Sequence, residues 1–176
     1  MKKLLPIAAI LALSTSYGHA QSMAEKSGVN SAMGVAPATA DFVKEVAVSD
    51  MFEIQSSKLA LAQHDRAAHS FATQMVADHQ KTSSQLKSLV HSANINADVP
   101  TALDSSHQDM LDKLHKLHGK EFAAQYRQDQ IDGHNDAVSL FKRYADSGDN
   151  AALKSWAGQT LPKLQQHLAE AQKLPQ

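Results

Sequence analysis

Residues 66–92 read RAAHSFATQMVADHQKTSSQLKSLVHS. The apolar residues Ala68, Phe71, Met75, Leu86 and Leu89 fall at three-, four- and eleven-residue intervals, which are whole numbers of helical turns. A strand would alternate every second residue, and this segment does not. The spacing predicts a helix from Arg66 to Ser92 with one buried stripe. A polar residue interrupts that stripe. His79 lies four residues after Met75 and seven before Leu86, with Asp78 beside it.

Outward from this segment the same period recurs. A helix is expected from Asp41 to Gln63, striped by Phe42, Val46, Ile54 and Leu61, with Asp41 as its N-cap. His64 and Asp65 make the turn, and Asp65 caps the next helix. Downstream, residues 93–103 (ANINADVPTAL) contain Asn, Asp and Pro100 and read as a loop. Asp104 is expected to cap a short helix to Leu117, ended by His118-Gly119. A long helix from Lys120 to Ser147 carries Ala123, Tyr126, Ala137, Phe141 and Tyr144. Gly148 stops it, and Asp149 caps a last helix from Asn150 to Lys173. Pro162 lies inside that helix, where it should bend the axis and free the carbonyl of Gly158. No segment reads as a strand. Two tight hairpins joined by about 25 residues with a short helix predict an all-α four-helix bundle with a long crossover.

The N-terminus has a different character. Lys2 and Lys3 precede an apolar run from Leu4 to Leu13, and Ser14–Ala20 is small and polar. These are the three parts of a secretory signal peptide. The apolar run is about half the ~20 residues that a membrane-spanning helix needs. Cleavage is expected after Ala20, with the periplasm as destination. Residues 21–40 show no period and read as a flexible leader, leaving 41–174 as the folded domain. Removing residues 1–20 takes away two lysines and no acid, which moves the formal charge from −1 to −3. With no basic block, nucleic acid is excluded as the main partner. No transmembrane segment is expected, and an envelope protein or a second copy of the chain stays open as partner. The absence of cysteine excludes disulfides, thiolate metal sites and thiol catalysis.

Each long helix places one ionisable residue on its apolar stripe. Besides His79 these are Glu53, seven residues from both Val46 and Ala60; His134, seven before Phe141; and His167, three after Leu164. At about 1.5 Å per residue, the four fall within about 8 Å of one level if the crossover spans the bundle, and within about 10 Å in an up-and-down bundle. Three imidazoles and a carboxylate suit a divalent transition metal: zinc, iron, copper or manganese. Asp78, Gln130, Asp132 and Asp136 are placed to orient the ring nitrogens from behind. The same four residues could equally form a hydrogen-bonded polar network without metal. His64, His69, His91, His107, His115 and His118 read as solvated.

Three strings, FATQMVADHQKTSSQLKSL (71–89), residues 102–141 and WAGQTLPKLQQHLAEAQKL (156–174), resemble the bacterial domain of unknown function 4142 family. The resemblance rests on Met-Val-x-Asp-His at 75–79, on the His134 segment and on Leu-Pro-x-Leu-x-x-His at 161–167. It implies a ferritin-like four-helix fold and an exported protein, and no activity. Di-iron bundles of that architecture carry Glu-x-x-His on two helices. Here Val76 and Leu164 stand three residues before His79 and His167, so a His-rich mononuclear site is the expected version.

Two functions stay open. One is an exported metal-binding bundle acting in metal handling or envelope stress. The other is a non-catalytic structural or interaction module of the envelope. Covalent haem attachment lacks its Cys-x-x-Cys-His motif, and no Ser or Thr sits in a recognisable nucleophile motif.

Overall fold

Apolar side chains at helical spacing become buried on four long segments, and their packing sets the architecture. The computed structural model describes residues 28–63 and 66–175, and all its regular elements are α-helices. These are α1 (Val29–Met33), α2 (Thr39–Ala62), α3 (Arg66–Ser92), α4 (Ser105–His115), α5 (Gly119–Ser147) and α6 (Ala151–Ala171). The expected signal peptide and the His64-Asp65 turn lie outside the described residues. No described helix is long and apolar enough to cross a membrane.

α2 packs along α3, and α5 along α6. The two hairpins then meet through α2 on α5 and α3 on α6. Specific contacts give the directions. Phe42 stacks on Tyr144 and Ser57 hydrogen-bonds Tyr126 at 2.8 Å, so α2 and α5 run antiparallel. Trp156 Nε1 donates to Gln85 at 3.2 Å while His167 meets Asp78, so α3 and α6 also run antiparallel. α3 and α5 therefore point the same way. The connection between them must travel the length of the helices, and it carries α4 across α2.

The apolar interior is divided in two. At one end Phe42, Val46, Leu86, Phe141, Tyr144, Leu153, Trp156 and Leu164 pack together. At the other end are Phe52, Phe71, Met75, Leu111, Leu114, Phe122 and Tyr126. Along α3, His79 falls between Met75 of one cluster and Leu86 of the other. The polar residues thus occupy a layer between two apolar ones.

Local chemistry moves several expected boundaries. α2 begins at Thr39, two residues early, after Ala38 in extended conformation. Asp104 caps α4 as expected, accepting from the backbone N–H of His107 at 3.0 Å. α4 stops at His115, and Gly119, at φ +55°, opens α5 instead of closing α4. Asn150, and not Asp149, caps α6 by accepting from the N–H of Leu153 at 3.1 Å. Asp149 is engaged instead with Thr39 and Tyr144. Pro162 does not divide α6.

Residues 28–38 carry α1 and contact the bundle, although they have no apolar period. Ser31 pairs with Ser139 at 3.0 Å, and Arg143 Nη1 donates to the carbonyl of Val35 at 2.7 Å. Such polar anchors leave no trace in a hydrophobic pattern.

Replacing Asn150 with Ala is expected to lower stability by ~1 kcal/mol in urea denaturation, through loss of the cap. Asp149→Ala should leave the start of α6 intact in amide exchange.

Candidate functional site

The four stripe-interrupting residues come from four different helices: Glu53 from α2, His79 from α3, His134 from α5 and His167 from α6. Each is at most 3 % exposed. The ring centroids of the three histidines are separated by 5.6, 5.6 and 5.3 Å. One nitrogen from each of the three rings lies within 4.8 Å of the others. Glu53 stands beside this group, its Oε1 3.9 Å from His134 Nδ1.

Each ring is oriented by a partner on its outer nitrogen. His79 Nδ1 lies 2.8 Å from Asp50 Oδ1. A carboxylate only accepts, so Nδ1 carries a proton and Nε2 is the nitrogen left for another partner. His134 Nδ1 donates to the main-chain carbonyl of Gln130 at 2.8 Å, which again leaves Nε2 as the lone pair. His167 is turned the other way. Its Nε2 donates to Asp78 Oδ2 at 2.9 Å, leaving Nδ1. His79 Nε2, His134 Nε2 and His167 Nδ1 are all buried without a hydrogen-bond partner, as is Glu53 Oε2. A carboxylate or carbonyl behind each imidazole is how metal-binding histidines are held.

The partners of these partners are also in place. Asp50 Oδ2 accepts from Thr82 at 2.8 Å and from Ser83 at 3.0 Å, so its buried carboxylate is fully engaged. Asp78 also lies 3.8 Å from Lys163 Nζ. Of the four residues expected behind the rings, Asp78 and Gln130 are there, Gln130 through its main chain. Asp132 is exposed and holds Gln128, and Asp136 is exposed on the rim of a neighbouring cleft. Their spacing from His134 puts them on the outer face of α5.

Two residues at the site escape a reading of the stripe. Asp50 is three residues before Glu53, on the same face of α2, which is the signal that would have found it. Gly133 lies mid-helix in α5, where glycine costs about 1 kcal/mol relative to alanine. A Cβ there would sit 3.0 Å from Glu53 Oε1, so its absence gives the carboxylate its space.

Burial and mutual repulsion set the protonation. Burial pushes the Glu53 carboxyl up to about 7, against the pull of the His79 charge and a Gln130 hydrogen bond. Burial and the neighbouring His79 charge push His134 down to about 4. Burial likewise lowers His167 to about 4, partly offset by Asp78. For His79 burial is outweighed by Asp50 and Glu53, and the ring is raised from its ordinary value. His134 and His167 are thus held in the neutral form that ligates a cation, whereas His79 is held toward its protonated form and would give up a proton to a metal.

The fit to a divalent ion is close. Metal–nitrogen bonds of about 2.0–2.1 Å in tetrahedral geometry place ligand nitrogens roughly 3.3 Å apart, so the rings need close by no more than about 1.5 Å.

The model of the family described as "Domain of unknown function (DUF4142)" matches residues 24–174, and the chain belongs to that family. No curated protein and no solved structure matches the chain.

Two outcomes follow from this geometry. Gly133→Ala should fail to give the ~1 kcal/mol gain usual for a helical glycine, and should recover it in a Glu53→Ala background. Equal effects in both backgrounds would remove the contact. The second concerns pH in metal-free protein. Between 4.5 and 7 the unfolded chain releases the Glu53 proton and the folded chain retains it, so this residue's contribution to stability is lost as pH rises and is flat above 7. Glu53→Gln should therefore gain on the parent across that window, by up to ~1.4 kcal/mol per pH unit. A pH-independent difference in urea midpoints in the presence of chelator would show that Glu53 keeps no proton there.

Proposed function

We propose that this member of the DUF4142 family is an exported, ferritin-like four-helix protein that binds a divalent transition metal through His79, His134 and His167. Glu53 is the adjoining carboxylate, and the role is metal handling or protection of the envelope. The layout of two antiparallel hairpins joined by a long crossover is that of ferritin-like bundles and supports the fold assignment. Export is carried by the residues at 1–20.

The observation that carries the reading is the convergence of one nitrogen from each of three buried histidines, in a layer where three ring nitrogens and one Glu53 oxygen have no hydrogen-bond partner. Four buried polar atoms without partners cost about 1–3 kcal/mol each. Together that is comparable to the whole stability of a domain, about 5–15 kcal/mol. A self-sufficient polar network would turn these atoms toward one another or toward neighbouring donors. Here the donors all face outward, to Asp50, Asp78 and the Gln130 carbonyl. Such a centre stabilises the fold when a cation accepts its lone pairs.

Tag-free protein should purify with about one equivalent of transition metal per chain by elemental analysis. His134→Ala should lose it, and Asp50→Asn or Asp78→Asn should weaken binding by about 10–100-fold. Chelation should lower the melting temperature of the parent and leave that of His134→Ala unmoved. Substoichiometric metal that is indifferent to His134→Ala would defeat the assignment.

A further inference from the structure

A cleft of about 250 Å³ runs between α3 and α6 from the surface to His79 and His167. Its volume corresponds to about eight waters at ~30 Å³ each, which suits a ligand of a few heavy atoms. Trp156 and Leu164 form apolar wall, and Lys81, Gln159 and Lys163 bring polar heads to it. Among the described residues Asp78 is the one acidic side chain lining it, and it is opposed by the N–H of His167 and by Lys163.

The other side of the centre has the opposite character. The cleft that reaches His79 between α2 and α5 is lined by the carboxylates of Glu45, Asp50, Asp104 and Asp136, against Arg143 and His107. An anion approaching there meets four acids. Through the α3–α6 cleft it meets two lysines and a single acid, Asp78.

Three neutral imidazoles leave a dication its full charge and, in tetrahedral geometry, a fourth position. Glu53 is not among the three converging groups. We propose that the α3–α6 cleft is an anion site, which delivers a small carboxylate to the fourth position of the tri-imidazole centre; this rests on the metal-binding reading above. Lys81 and Lys163 attract and hold the carboxylate, and Trp156 and Leu164 limit its size.

Cobalt(II) as the metal and sodium acetate as the anion test this at low ionic strength, with the visible absorption of cobalt as readout. Acetate should shift the spectrum saturably. The Lys81→Met variant, altered only at an exposed side chain outside the hydrogen-bond network behind the rings, should still take one cobalt per chain while its acetate dissociation constant rises by about fivefold. Cobalt binding without any response to acetate overturns the anion site and leaves the metal reading standing. Acetate binding that is equally tight in Lys81→Met also overturns it, because the anion then arrives by another path. Failure of the parent chain to bind cobalt at all removes the metal reading, and the anion site with it.

Discussion

Everything in this bundle is arranged around the cost of burying three imidazoles and a carboxylate at mid-height. Polar groups taken out of water must be matched by hydrogen bonds or by charge. Half of that requirement is met by protein: Asp50, Asp78 and the Gln130 carbonyl take one nitrogen of each ring. The other half is left facing inward. The two apolar clusters, one around Phe42 and Trp156 and one around Phe71 and Tyr126, supply the burial that holds the polar layer between them.

The interactions behind the rings also tie the helices together. His79 on α3 is held by Asp50 on α2, and His167 on α6 by Asp78 on α3. Glu53 on α2 approaches His134 on α5, and α5 and α6 are joined by a short turn. The site therefore closes a circuit through all four long helices. A cation that draws the three rings together would tighten each of these contacts at once, so ligand binding and helix packing share one set of coordinates. This coupling of metal binding to folding is general for sites whose ligands come from separate elements.

Much of this was legible in the residues, and the reason is periodicity. Long amphipathic segments announce themselves, so the four long helices were found within a few residues of their ends. The site residues stood out because an ionisable group on an apolar stripe is conspicuous. What the stripe could not show was anything held by polar contact. Asp50 carries a signal in its spacing, four residues after Val46 and three before Glu53, but its hydrogen bond to His79 does not show in that pattern, and α1 leaves none because Ser31 and Val35 bind through hydrogen bonds. Asp132 and Asp136 were placed by proximity in sequence to His134, but the 100° step between helical neighbours turns them outward. The cap of α6 shifted by one residue because Asp149 has a better use, beside Thr39 and Tyr144.

The composition of the site also constrains the kind of chemistry it can support. A di-iron centre needs several carboxylates to neutralise two cations and bridge them. Here the positions one turn before His79 and His167 are Val76 and Leu164, and Glu53 is a carboxylate buried beside the rings with an unshared oxygen. Three imidazoles and one adjoining carboxylate, with Asp50 and Asp78 behind the rings, suit a single divalent ion better than two. Gly133 sharpens the point, since the space its missing side chain leaves is taken up by the Glu53 carboxylate. A centre built this way is poor in bridging groups and rich in nitrogen donors. That combination favours binding one ion firmly over activating oxygen between two.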